Sequence, residues 1–150
     1  MDELLWSTVD DLGLTVEYAD LPSDRDGEYD HDRQLIRLQR SMSPRLHRSV
    51  LAHEIAHAVF ADVPSMFGPV NAKQERRADE WAALRLISVE EYRRSEALHH
   101  GHVEALAVEL GVTVDLVEAF QRVLLRVGQI VYVQPRQGAG QYAHKEPIAS

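Results

Sequence analysis

The segment that most constrains this chain is the pentapeptide His53-Glu54-Ile55-Ala56-His57, set inside its best helical pattern. Ser43-Pro44 reads as a helix start, a hydroxyl N-cap followed by proline at the first helical position. Leu46, Val50, Leu51, Ile55, Ala56, Val59 and Phe60 then recur at helical spacing and predict a helix to about Ala61. Positions i and i+4 share a helix face, so His53 and His57 can converge on one cation, each with a Zn–N bond near ~2.0–2.1 Å. Glu54 then lies beside the metal without binding it, where it can take a proton from the water the metal activates. With 8 His in 150 residues, composition alone would produce such a pattern roughly 0.04 times. Chance would not also set it in register with apolar neighbours.

By length the chain is one domain, long enough to bury a real core. Hydrophobic residues at 45% and charged residues at 27% exclude wholesale disorder. The balance of 24 acids against 16 bases gives a net charge of −8, which repels nucleic-acid phosphates unless the bases cluster on one face. Cysteine is absent, which excludes a disulfide framework, a thiolate nucleophile and a cysteine-type zinc site. The first residues, Met1 to Trp6, carry no basic stretch followed by an apolar one, and no apolar run approaches the ~18 residues of a membrane span. The expectation is a soluble, cytoplasmic protein without membrane contact.

Leu4, Leu5, Val9 and Leu12 predict a short amphipathic helix over residues 2–12, ending near Gly13. Leu14, Val16 and Tyr18 alternate with Thr15 and Glu17 and read as a strand. Glu28–His31 and Gln34–Leu38 read as a hairpin. Val63–Val70, with two prolines and a glycine, is expected to be a loop. Asn71 with Gln74 resembles a capping box opening a helix to about Ile87, and Ser88 with Glu91 repeats that signature for a helix to about His99. Val103–Leu110 and Val114–Val127 predict two more helices joined by Gly111-Val112-Thr113, with Thr113 as N-cap. Gln129–Val133 reads as a short terminal strand. Residues 136–150, rich in Gly, Gln and Ala, read as a flexible tail beyond a domain of residues 1–135.

A catalytic zinc site needs a third protein ligand and leaves its fourth position to water. The helix after the loop offers Glu75 and Asp79, again at i and i+4, on a face with Ala78 and Ala82 that would allow close approach to the His53/His57 helix. Glu75 would then bind the metal, and Asp79 would accept a ring N–H from a ligand histidine. A run of charges such as 75–80 also forms an ordinary solvated face. Glu80 points elsewhere, and Trp81 reads as core.

His53-Glu54-Ile55-Ala56-His57 followed by Glu75-Arg76-Arg77-Ala78-Asp79-Glu80-Trp81-Ala82-Ala83 resembles the ImmA/IrrE family of gluzincin-like metallopeptidases. Gly27-Glu28-Tyr29 to Gln34–Leu38 is similar to the hairpin that family carries before its active-site helix. Leu106 to Thr113 resembles its C-terminal helical segment. The likeness covers about residues 14–125. It departs after the glutamate helix, where the family usually has Leu-Leu-Met-Pro and this chain has Leu86-Ile87-Ser88. The resemblance implies a zincin-like α+β domain: a small antiparallel sheet, an active-site helix, a glutamate-bearing helix, and a helical C-terminal part over about 89–127. The short chain looks like the versions carried by bacteriophages and integrative elements.

Two weaker signals remain. Ala107, Gly111, Val112 and Val117 fit helix-turn-helix spacing, but Asp115 and Glu118 would face phosphate, which favours a structural helical hairpin and no direct nucleic-acid binding. His99, His100 and His102 cluster at a helix end; one of His99, His100 or Tyr92 would polarise a scissile carbonyl if it reached the metal. A histidine cluster at a helix C-terminus is also favoured by the helix dipole alone.

The expected function is that of a zinc endopeptidase with one Zn²⁺ per chain, held by His53, His57 and Glu75, with Glu54 as general base. The resemblance implies a narrow protein substrate, a helix-turn-helix transcriptional repressor of a phage or mobile element. The alternative expectation is a non-proteolytic zinc-containing regulator that binds and sequesters the repressor.

Overall fold

The computed structural model describes residues 2–133. In chain order it comprises α1 (Glu3–Asp11), β1 (Thr15–Ala19), β2 (Gly27–Asp30), β3 (Leu35–Gln39), α2 (Pro44–Val59), α3 (Gly68–Leu86), α4 (Val89–His99), α5 (Val103–Leu110) and α6 (Val114–Val133). The α+β class read from the sequence holds, and β1, β2, β3, α2, α4 and α5 fall within two residues of their expected bounds. The expected tail, 136–150, lies outside the described residues.

The sheet has the order β1-β3-β2. β2 pairs antiparallel with β3, as a hairpin must, but β1 pairs parallel with β3, Val16 opposite Ile36. The expected all-antiparallel sheet is therefore corrected to a mixed one. Three successive strands alternate in direction, and the third carries the most apolar side chains. Ile36 and Leu38 are fully buried, so β3 takes the centre and meets β1 running the same way. This leaves β2 as an edge strand beside α2.

Ser43 caps α2 as expected, its Oγ accepting the Leu46 N–H at 3.3 Å, with Pro44 in the first turn. Leu51, Ala52, Ile55 and Ala56 are buried on this helix. Its N-terminal half also holds the turn between α5 and α6. Arg45 donates to the Val112 carbonyl at 3.0 Å, Arg48 to the Gly111 carbonyl at 2.8 Å, and Ser49 Oγ accepts the Thr113 N–H at 3.1 Å. Those carbonyls lie in the turn that follows α5, beyond its own hydrogen-bond ladder, and the arginines satisfy them. Ala107, Val112 and Val117 are fully buried, so the helix-turn-helix-like spacing serves an inward-packed hairpin. One core cluster joins Leu5 and Val9 of α1, β3, α2, Ala82 and Ala83 of α3, and Leu116, Val117 and Phe120 of α6.

Two expectations are corrected here. The helix expected from Asn71 begins earlier, at Gly68, because Pro69 suits a first turn whose N–H groups have no partner. Asn71 is no cap. Its amide accepts the Ser65 N–H at 2.9 Å and donates to the Ser65 carbonyl, bracing the loop instead. Gln129–Val133 continues α6 and is not a strand. The β-branched residues there favour strands, but that preference is modest and context-dependent and yields to a helix already nucleated, to which each further residue adds at little cost. The second expected capping box, Ser88 with Glu91, is present in both directions. After α3 the chain passes through extended, buried Ile87 straight into that cap.

Candidate metal centre

α2 and α3 meet through small residues, Ala52 and Ala56 on one and Ala78 and Ala82 on the other, all fully buried. This close approach carries Glu75 to the two histidines. His53 Nε2 lies 3.1 Å from Glu75 Oε1, His57 Nε2 lies 2.9 Å from Glu75 Oε2, and the two Nε2 atoms are 3.0 Å apart. Ligands on tetrahedral bonds of about 2.0–2.1 Å would be separated by about 3.3 Å, so the three donors need barely move to accept an ion. His53, His57 and Glu75 form a group close enough to hold a metal ion.

Each histidine is oriented from behind by a carboxylate. His53 Nδ1 donates to Asp79 Oδ1 at 2.7 Å, the partner expected from the sequence. His57 Nδ1 donates to Asp62 Oδ2 at 2.9 Å. With both Nδ1 atoms protonated, both Nε2 lone pairs face the metal position. Asp62 is buried, and its other oxygen is paired with Arg77, whose guanidinium stacks 4.1 Å above the Phe60 ring.

The electrostatics follow from this crowding. Burial pulls the His53 imidazole down, but the Asp79 and Glu75 carboxylates outweigh it and push the ring up to about 10. His57 is also raised, because Glu75 and Asp62 outweigh its burial. Hydrogen bonds from both imidazoles hold Glu75 well below the usual carboxylate range. Glu54 behaves oppositely. It is 6% exposed, and burial pushes its carboxyl above the ordinary value against the pull of His53 and His57.

Glu54 faces a cavity of about 370 Å³ lined also by His53, His57, Glu75, Gly27 and Tyr29. A Cβ at position 27 would lie 2.7 Å from Val50 Cγ1 and 3.1 Å from Glu54 Cγ, so only glycine lets β2 run this close to α2. Tyr29, two residues on and therefore on the same face of the strand, hydrogen-bonds His31 Nδ1 through its hydroxyl at 2.9 Å.

The side chains considered for carbonyl polarisation lie elsewhere. Tyr92 is buried against Phe120, its hydroxyl donating to Glu96 at 3.2 Å and accepting from Gln121 at 3.0 Å. His99 faces Glu109 at 3.4 Å, and His100 is the left-handed C-cap of α4. None of the three lines the cavity. Glu80, set aside as a ligand, binds Arg122 at 3.0 Å and Arg126 at 2.6 Å and ties α3 to α6. Trp81 is partly buried against the core under Arg85. Asp62, Gly27 and Tyr29 were not singled out by sequence reasoning. For Asp62 the only signal was an acid five residues beyond His57, just past the helix end.

Comparison with curated proteins gives no match. The family model described as the IrrE N-terminal-like domain, Peptidase M78, matches residues 9–120, from α1 through the first turns of α6 and across the whole candidate centre. With most of its length matched, the chain belongs to the IrrE N-terminal-like family of metallopeptidases.

Proposed function

We propose that the protein is a zinc-dependent endopeptidase that acts in the cytoplasm and cleaves a transcriptional repressor of a phage or mobile element. The observation that carries the peptidase reading is the convergence of two imidazoles and one carboxylate beside a buried glutamate in an open cavity. The narrow protein substrate is inferred from the likeness of the motif pair to ImmA/IrrE peptidases. Among the described residues no helix is long and apolar enough to cross a membrane.

His53, His57 and Glu75 would hold the ion, the donor set of a catalytic zinc site. Bound there, zinc would supply Lewis acidity toward a peptide carbonyl and toward water. The remaining chemistry belongs to the chain. Glu54 accepts a proton from the attacking water as its oxygen bonds to the carbonyl carbon. It then delivers that proton to the amide nitrogen as the C–N bond breaks, leaving a carboxylic acid and an amine, between which the acid's proton passes to give a carboxylate and an ammonium group. Burial raises the affinity of Glu54 for a proton, which suits a group that must both take and return one. Asp62 and Asp79 keep the imidazoles in the tautomer that binds metal.

The test is co-expression with the repressor encoded nearby, followed by mass spectrometry for cleavage, with Glu54→Gln alongside. The substitution preserves side-chain length and leaves all three ligands in place. The variant should stay folded and zinc-loaded while cleavage falls by at least about 10²-fold. A variant that relieves repression as well as wild type would make the protein a sequestering regulator instead.

A further inference from the structure

The exposed large apolar residues are unevenly placed. Val59, Phe60, Val63, Met66, Phe67 and Val70 all fall between the end of α2 and the first turn of α3. Met66 is fully exposed and Phe67 is 62% exposed. Scattered surface hydrophobics need no explanation, but a run of this kind beside a cavity does. The loop is not loose. Asp62 fastens its start to His57 and Arg77. Asn71 grips both backbone groups of Ser65, and Ser65 Oγ accepts the Phe67 N–H at 3.0 Å. Backbone and polar side chains thus fix the loop while its large apolar side chains are held outward. The rim also runs into the metal cavity, because Val63 and Pro64 line it. Three of the carboxylates lining that cavity are already paired, Glu28 with Arg25 and Arg37, Asp62 with Arg77, and Glu75 with the two histidines, which leaves apolar contact as the rim's own contribution.

We infer that the 59–70 rim is the docking surface for the polypeptide substrate, and that it selects by apolar contact. This rests on the peptidase reading above. An apolar side chain flanking the scissile bond packs on Val63 and Pro64, and a second apolar side chain further along lies on Met66 and Phe67. The substrate is the favoured occupant because the rim is continuous with the cavity where the bond must lie. A second copy seated on the same rim would close the cavity mouth. Each large apolar side chain fully buried on docking strengthens association by about 10–100-fold.

The zinc-loaded protein is incubated with an amine-blocked peptide library prepared from a bacterial lysate, and new N-termini are read by mass spectrometry. Met66→Ser/Phe67→Ser, which alters only exposed residues, is run in parallel, with Glu54→Gln as the blank. The wild type should cleave with an apolar residue enriched at one position flanking the bond and a second apolar preference further along. The double variant should keep its zinc and circular dichroism and lose the more distant apolar preference. Its kcat/KM on the best wild-type peptide should fall at least tenfold, through KM. Cleavage without apolar preference, or an unchanged profile and KM in the double variant, overturns the inference while leaving the peptidase reading intact. A library left uncut agrees with a narrow substrate and passes the decision to binding. The rim is then tested by calorimetry of zinc-loaded Glu54→Gln with an Ala/Gln/Ser decapeptide carrying Leu and Phe three residues apart, against its all-polar counterpart. Equal binding of the two peptides overturns the inference, and tighter binding of the apolar one supports it. A wild-type dimer that the double variant converts to monomer in size-exclusion chromatography assigns the rim to a second copy and also overturns it.

Discussion

Asp62→Ala should weaken zinc binding while leaving the protein folded. The carboxylate lies 2.9 Å from His57 Nδ1 and holds that ring with its Nε2 toward Glu75. Loss of such a partner typically lowers metal affinity by about 10–100-fold. That corresponds to about 1.4–2.8 kcal/mol. The upper part of the range applies, for two reasons. Asp62 is 8% exposed, so water replaces the lost acceptor poorly. Its removal also leaves the Arg77 guanidinium uncompensated close to the cation position. Asp62→Asn keeps one oxygen for the Nδ1–H but loses the charge and turns an NH2 donor toward Arg77, so its loss should fall below that of Asp62→Ala, at about tenfold. Competition against a chromophoric chelator at fixed pH gives both affinities, and circular dichroism with thermal melts checks the fold. A folded Asp62→Ala protein that binds zinc within about twofold of wild type would refute the orienting role.

Other consequences are equally direct. Purified protein should carry about one zinc per chain, and Glu75→Gln should lower that occupancy at limiting zinc where Glu80→Gln does not. Glu80→Gln should instead lower the melting temperature, because it weakens the Arg122 and Arg126 clamp between α3 and α6. In metal-free protein His53 is raised to about 10, so it holds a proton at pH 7 that the metal must displace, and His57 is shifted in the same direction. Zinc affinity should therefore climb from pH 6 to 9, and calorimetry in buffers of different ionisation enthalpy should show proton release; none at pH 7 would contradict the electrostatic picture. By the same sign, the stabilisation His53 gives metal-free protein is complete below about 6.5 and is lost as pH rises toward 10. Gly27→Ala drives a methyl into Val50 and Glu54, and should cost about 1–3 kcal/mol of stability, read by denaturant melts, as β2 is pushed off α2.

What the sequence disclosed and what it withheld divide by range. His53 and His57 were legible because their spacing matches the helical period and the neighbours that bury their helix obey it too. Glu75 and Asp79 were legible for the same reason, together with the alanines that bring their helix close. The pairing of β1 with β3 was not, because direction within a sheet depends on which strand takes the centre, and that is decided by packing across the whole domain. Asp62 was hidden for another reason. Its reach to His57 depends on Ala61 adopting a left-handed conformation, φ 54°, that turns the chain back over the helix end, and nothing in the local spacing announces it. The end of α6 misled because β-branched residues look alike in a strand and at the end of an established helix.

The grip of Arg45, Arg48 and Ser49 on the turn between α5 and α6 has a consequence for the order in which the molecule opens. α2 is packed by α1, β2, β3 and α3, and by that turn at its N-terminal half, and its residues 49–57 are largely buried. The C-terminal hairpin cannot lift away without baring the carbonyls of the turn after α5 and stranding two guanidinium groups. Hydrogen exchange in α2 should accordingly wait for the cooperative opening of the whole domain, while the ends of α1 and α4 exchange through local fraying. Both histidines thus sit on the segment that is last to give way, and fluctuations at the periphery leave the spacing of their nitrogens unchanged.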